Sequence, residues 1–370
     1  MKRIYTKKIK HTLLSFYYTI LYIFLSCFFK KTKITFIFSN SSEKFNNISY
    51  LYEQIKKTNN PNVVELKETD CHLKFIRILA ESKVILIDQS NKFLSKLHLN
   101  SKTFCIQCWH SGGWYKKVGF DSMRPSVPVE SEKKRLHRIH RNINYFIISD
   151  KNFIHNYARA FNISQNCVLP LGLPRTDLLF KIDSQQEKQK LKKIYPHIKN
   201  KKIILYAPTF RTYSSGLRYH DYTLNINLLL KTLGNDYAFF IRRHPSVQSP
   251  VPQGWIDISS LDFMFTLAVT DILITDYSSI IFDYAFFNRP ILLLVPDKDS
   301  YSLNQNGLYL TPEEMSPKGY CYSTEDVISH IKNLEIINSH DLWNKFMSAC
   351  DGKSSQRVLS LINHLYNKGE

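Results

Sequence analysis

The chain has 370 residues, of which 44% are hydrophobic and 14% aromatic, enough to bury the cores of two ordinary domains and to exclude a disordered chain. Basic residues outnumber acidic ones by 50 to 31, a formal charge of +19, so the expected partner is anionic: nucleic acid, a membrane surface or a phosphate-bearing molecule. No basic run shows the aromatic spacing of a nucleic-acid module, so nucleic acid is not expected, and seven scattered cysteines read as a reduced protein rather than a disulfide framework.

Lys2, Arg3, Lys7, Lys8 and Lys10 precede an uncharged stretch from Thr12 to Phe29, and Lys30, Lys31 and Lys33 follow it. As a helix this stretch reaches about 27 Å, short of a hydrocarbon core of about 30 Å. Its aromatic end lacks the small-residue cleavage site of a signal peptide. Basic flanks on both sides suit a helix lying in the surface of an anionic leaflet. Residues 1–30 are therefore expected to associate with a membrane; the alternative is a helix packed on the first domain.

The first domain is expected over residues 31–183. A strand, Ile34–Phe38, ends in Ser39-Asn40-Ser41-Ser42. Helical stretches follow near Asn47–Lys57 and Cys71–Ala80, with strands at Val84–Ile87, Thr103–Cys108 and Tyr145–Ile148. Cys105 and Cys108 have C-x-x-C spacing inside a strand, with no second pair, so neither zinc nor redox chemistry is expected; alternation sends them toward opposite faces. Glu130–Arg141 reads as a strongly basic helix, either a solvated face or one turned to a membrane or polyphosphate. The charged stretch Ser184–Lys202 is expected to separate the halves. A second domain, 184–353, alternates strands near 203–206, 237–241, 272–274 and 291–295 with helices near 226–233, 262–269 and 279–287. A last helix, 354–367, opens the segment 354–370.

Five strand candidates end in cationic, hydroxylic or glycine-rich residues. These endings are Trp109-His110-Ser111-Gly112-Gly113-Trp114, Pro174-Arg175-Thr176-Asp177, Ala207-Pro208-Thr209-Phe210-Arg211, Arg242-Arg243-His244-Pro245 and Thr275-Asp276-Tyr277-Ser278-Ser279. In an open parallel sheet the carboxyl ends of the strands share one edge, where ligands bind. The endings thus predict one cleft suited to a pyrophosphate: arginines for charge, hydroxyls and helix-start N–H groups for its oxygens. His110 is the candidate base and His244 a candidate donor to the pyrophosphate. Asp283, one turn after Ser279, faces the same side and suits a ligand hydroxyl. No Asp-x-Asp, His-x-x-x-His or Cys/His cluster is visible, so no cofactor and no dedicated metal are expected, with room only for a loosely bound divalent cation.

Together these blocks, with Asp351-Gly352-Lys353-Ser354-Ser355-Gln356-Arg357, resemble the CDP-glycerol glycerophosphotransferase family, over roughly residues 33 to 362. The resemblance implies two Rossmann-like α/β domains facing a cleft, the glycosyltransferase-B type, with the last helix crossing back to the first domain. It implies a transferase that moves a polyol phosphate from a CDP-polyol to a hydroxyl of a lipid-linked teichoic acid-like or capsular polysaccharide acceptor, releasing CMP. It also implies a peripheral enzyme on the cytoplasmic face of the membrane. The donor-binding positions it carries over are Ser111, Gly112, Gly113, Trp114, Arg175, Pro208, Thr209, Arg211, Arg242, Arg243, Thr275, Ser278, Ser279 and Asp283, with His110 and His244 catalytic. The chain departs from the family where Ser111-Gly112-Gly113-Trp114-Tyr115-Lys116 replaces the usual Gly-Thr-Pro-Leu-Lys, which leaves the polyol open: glycerol is expected, ribitol is the alternative. A nucleotide-sugar glycosyltransferase of the same fold is the competing activity.

Overall fold

β-Branched and aromatic runs in the first half of the chain form six parallel strands, as near-continuous apolar segments do when both faces of a sheet are covered. The computed structural model describes residues 2–39, 46–58, 60–122, 127–212, 218–220, 223–244, 247, 250–305, 307–333 and 339–368, without the side chains of 2–12, 303, 304 and 340. Asn40 to Ser42 and Pro245 of the sequence reading lie outside the described residues. The chain divides into two compact units. One holds Met1–His110, Gly119–Asp177 and Ala349–Glu370; the other holds Ser111–Val118 and Leu178–Ser348. The division therefore falls near residue 178 rather than 184, and the short piece after His110 belongs with the second unit.

Unit 1 runs α1 (Lys2–Phe28), β1 (Lys33–Phe38), α2 (Asn47–Lys56), β2 (Val63–Lys67), α3 (His72–Glu81), β3 (Ser82–Ile87), β4 (Phe104–Gln107), α4 (Val129–His140), β5 (Tyr145–Ile147), α5 (Ile154–Phe161) and β6 (Val168–Leu169). The sheet order is β2-β1-β3-β4-β5-β6, which puts the topological switch at the carboxyl ends of β1 and β3. Two apolar clusters cover its faces, and alternation along β4 sends Cys105 into one and Cys108 into the other. Burial pushes the Cys105 thiol up to about 12 and raises that of Cys108, which makes both unreactive packing groups. The C-terminal helix, Ser354–Asn367, buries Val358, Ile362 and Leu365 in the cluster of Cys108.

α1 lays one side on unit 1. Tyr18 and Tyr22 are buried there, and Leu14, Leu21 and Leu25 pack against the same cluster. Its other side exposes Leu13, Phe16, Tyr17, Ile20, Ile23, Phe24 and Phe28. Among the described residues no helix is long and apolar enough to cross a membrane.

Unit 2 continues with α6 (Ser184–Ile194), β7 (Lys202–Ala207), β8 (Phe210–Thr212), β9 (Arg218–His220), α7 (Ile226–Leu233), β10 (Tyr237–Ile241), β11 (Ile256–Asp257), α8 (Phe263–Val269), β12 (Ile272–Thr275), α9 (Ile280–Tyr284) and β13 (Ile291–Leu294). α10 (Lys298–Asn304), α11 (Pro312–Met315), β14 (Tyr320–Cys321), α12 (Thr324–Asn333) and α13 (His340–Phe346) complete it. Its parallel sheet has the order β11-β10-β7-β12-β13-β14, so the strand order reverses between β7 and β12. The charged stretch expected to be a linker is instead the helix α6. Asp183 caps it by accepting from the N–H groups of Gln185 and Gln186, and Leu191 is its buried contact. The edge strands β2, β11 and β14 and the antiparallel hairpin β8–β9 do not follow from the apolar pattern, because each is short or polar.

Candidate active site

In unit 1 the ladder of β4 extends one residue beyond the strand, through Cys108 N–H to the Ile87 carbonyl. The chain then turns at Trp109, whose φ of 52° is uncommon for a bulky aromatic residue. Buried Asn47, at the start of α2, holds this turn. Its Nδ2 donates to the carbonyls of Cys108 (2.9 Å) and Trp109 (2.8 Å), and its Oδ1 accepts from Arg175 N–H (3.1 Å). Arg175, itself buried, donates through a guanidinium nitrogen to the His110 carbonyl at 2.9 Å. The turn presents His110 beside the switch point: its Nδ1 lies 3.2 Å from the backbone carbonyl of Asp88, the residue after β3.

A carbonyl oxygen can only accept, so Nδ1 carries the proton and Nε2 carries a lone pair. Although the side chain keeps solvent access, crowding by protein lowers the His110 pKa. The Asp88 carbonyl opposes that shift and the Arg175 charge adds to it. His110 is thus a neutral imidazole with its basic nitrogen unblocked, in a fixed tautomer. Asp177 acts elsewhere: its carboxylate accepts from the N–H groups of Ser354 and Ser355, anchoring the C-terminal helix.

In unit 2 the reversal point is tied by a buried ionic network. Asp276 Oδ1 accepts from Thr209 N–H (2.9 Å), Thr209 Oγ1 (2.6 Å) and Tyr277 N–H (2.7 Å), while its Oδ2 meets Arg211 at 3.0 Å. Arg211 also grips Asp297, with Nε and one terminal nitrogen at 2.8 and 3.1 Å. It stands over the stacked rings of Tyr277 and Tyr301, whose centroids are 3.8 Å apart. Burial opposes the Arg211 charge, but the two carboxylates outweigh it and hold its pKa above the ordinary value. Thr275 donates to the Ala207 carbonyl at 2.6 Å and pins β12 to β7. Thr209, Arg211 and Thr275, expected as direct donor contacts, are therefore engaged in building the reversal point, and Pro208 is buried with them.

The glycine pair has a similar role. A Cβ on Gly113 (φ +63°) would stand 2.3 Å from the Phe282 ring, and one on Gly112 would meet Met347 and Phe282. These glycines leave room for α9 and its surroundings. Trp114 is buried face to face with Tyr309, centroids 3.9 Å apart.

Ser278 and Ser279, before α9, keep partial exposure. Ser278 Oγ accepts from Ile280 N–H at 3.3 Å, and Ser279 caps nothing. Asp283 on α9 is 2% exposed, a buried carboxylate rather than a surface charge. At the end of β10, Arg242 donates to the Leu261 carbonyl (2.8 Å) and Thr266 and covers the Phe263 ring, while Arg243 pairs with Asp257 at 2.7 Å. His244 is exposed, packs edge-on to Phe210, and donates its backbone N–H to His220 Nε2 at 3.1 Å. Local crowding lowers its pKa, and Arg218, His220 and Lys116 add to the shift.

Among the described residues no group of three or more His, Cys, Asp or Glu is placed to hold a metal ion. The profile of the CDP-glycerol:poly(glycerophosphate) glycerophosphotransferase family matches residues 19–364. The chain belongs to that family. It is 30% identical over 302 residues to the teichoic acid glycerol-phosphate primase of Bacillus subtilis, with 79% of this chain and 76% of the relative covered. It is 29% identical over 358 residues to the teichoic acid poly(ribitol-phosphate) polymerase of Bacillus spizizenii, spanning 90% of this chain but 56% of that protein. Among solved structures, the wall teichoic acid polymerase TagF shares the fold with a TM-score of 0.77 at 22% identity, covering 100% of both chains. A putative UDP-N-acetylglucosamine 2-epimerase from Listeria monocytogenes shares it more loosely, with a TM-score of 0.55 at 14% identity over 92% of this chain and 98% of that one.

For this glycerophosphotransferase family member, the residues that sequence reasoning missed are mostly supports: Asn47, Asp88, His220 and Asp297, each far in sequence from what it holds. Asp276 was legible as part of a strand-end block, but its buried pairing was not.

Proposed function

We propose that the chain transfers glycerol phosphate from CDP-glycerol to a hydroxyl of a lipid-linked teichoic acid-like or capsular acceptor, with release of CMP. The acceptor oxygen attacks the glycerol-bearing phosphorus, the bond from that phosphorus to the bridging oxygen breaks, and the acceptor proton passes to His110 Nε2. The observation that carries this reading is the His110 tautomer: Nδ1–H committed to the Asp88 carbonyl leaves Nε2 as a ready base. Phosphoryl transfer demands mainly placement and charge stabilisation. Ser278, Ser279, Arg243 and His244 are proposed to supply these toward the donor phosphates, Asp283 a hydroxyl contact and Arg175 the support of His110. Ribitol phosphate is the second reading, favoured by the ribitol-phosphate names of four relatives. Incubation with labelled CDP-glycerol, CDP-ribitol and a panel of nucleotide sugars decides between them. CMP release from a CDP-polyol alone is expected; transfer from a nucleotide sugar instead would reject the proposal.

The same reading places the protein at the cytoplasmic face of the membrane, where nucleotide-activated donors are found. The exposed stripe from Leu13 to Phe28 has the i, i+3, i+4 spacing of a helix lying in an interface, and lysines 30, 31 and 33 follow it. Because Tyr22 and its neighbours are core residues, α1 is proposed to bind lipid by its outer side while remaining part of unit 1.

A further inference from the structure

The arginines of unit 2 that the sequence offers for a pyrophosphate already have partners: Arg211 has Asp276 and Asp297, Arg243 has Asp257, and Arg242 has a carbonyl and a threonine. Lys116 differs. Its backbone is held by an antiparallel bridge to Leu308, flanked by bonds from Lys117 N–H to the Gly307 carbonyl and from Tyr309 N–H to the Tyr115 carbonyl. Its half-buried side chain puts the ammonium 5.9 Å from the Tyr301 ring centroid, in the electrostatic reach of Asp276, Arg211 and His244. Among the described residues its ammonium makes no ion pair and no hydrogen bond. Asp276 is already filled by Thr209, Tyr277 and Arg211. Burial lowers the Lys116 pKa to about 8, with Asp276 opposing and Arg211 reinforcing the shift, as for a cation held without its counter-charge.

We infer that Lys116 binds a phosphate group of the CDP-polyol donor. An ammonium with three donors that, among the described residues, bonds to no acceptor is completed by an anionic oxygen. A phosphate there would lie beside His244, one of the groups proposed to face the donor phosphates. The inference rests on the proposed donor and adds to its binding positions Lys116, the last residue of the segment in which the chain departs from the family's Gly-Thr-Pro-Leu-Lys.

The test measures binding of CDP-glycerol, CDP-ribitol, CMP and cytidine to the full chain by calorimetry, for wild type, Lys116→Met, Lys116→Gln and Lys116→Arg. The Met and Gln variants are expected to lose about tenfold or more in affinity for the nucleotides, the scale of a charged hydrogen bond. Cytidine affinity is expected to stay unchanged, the Arg variant to recover part of the loss, and the melting temperature not to fall. Wild-type binding of a CDP-polyol with equal affinity in either folded uncharged variant overturns the inference alone. Wild-type protein that binds neither CDP-polyol overturns the donor assignment and this inference with it.

Discussion

Asp276→Ala tests whether the reversal point is a buried ionic keystone. The side chains of Asp276 and Arg211 are 6% and 9% exposed, so water does little to screen their pairing. Removing the carboxylate leaves Arg211 with the Asp297 carboxylate and the Thr209 carbonyl, and strips the acceptor from Thr209 N–H, Thr209 Oγ1 and Tyr277 N–H. Breaking a buried ion pair from one side costs about 3–5 kcal/mol, and each buried donor left without an acceptor costs about 1–3 kcal/mol more. A loss of about 4 kcal/mol or more is therefore expected. At roughly 2–4 °C per kcal/mol for a unit of this size, the transition of unit 2 should fall by about 8–16 °C in scanning calorimetry. Arg211→Met should cost less, because Asp276 keeps its three donors from Thr209 and Tyr277. An Asp276→Ala transition within about 2 °C of wild type, or an Arg211→Met protein less stable than it, would refute the keystone reading.

His110→Ala is expected to reduce kcat by about 10²–10⁴-fold with donor affinity largely retained, as single-turnover kinetics would show. The base must be neutral and its pKa is lowered, so wild-type kcat/KM should hold as pH falls through 6.5 and decline only below it; a midpoint at or above 6.5 contradicts the environment described for His110. The same sign governs stability. Unfolded histidines bind protons near 6.5 while folded His110 and His244 resist until about 4, so stability contributed by these groups is lost as pH falls through that window, measurable by urea denaturation at stepped pH. Gly113→Ala combines a positive φ with a Cβ driven into the Phe282 ring and should lower the melting temperature, whereas a purely ligand-facing glycine would change only donor KM. Phe16→Glu with Phe24→Glu should abolish sedimentation with anionic vesicles at unchanged melting temperature, while Tyr22→Ala should destabilise the fold; vesicle binding unaffected by the paired glutamates rejects α1 as the lipid contact.

The alternating apolar runs and helical spacings were legible because burial on both faces of a parallel sheet writes itself into local composition: β1, β3, β4, β7, β10, β12 and β13 all lie where the pattern puts them. The motif blocks likewise exposed the family, since strand-end loops carry the chemistry in short contiguous segments. α6 was misread because a helix burying one leucine in a charged sequence looks like a linker. What the chain order could not show is which polar groups are already engaged. In one dimension Arg211, Thr209 and Thr275 are polar strand-end groups; that they also brace the reversal point shows only once strands distant in sequence pair and bring Asp276, Asp297 and the Ala207 carbonyl to them. Partner choice for a buried charge depends on distances that folding sets, and composition carries no record of them. The sequence by itself determined the class, the strand ends and the family; tertiary structure alone decided that His110 is oriented by a backbone carbonyl and that Lys116, among the described residues, makes no ion pair.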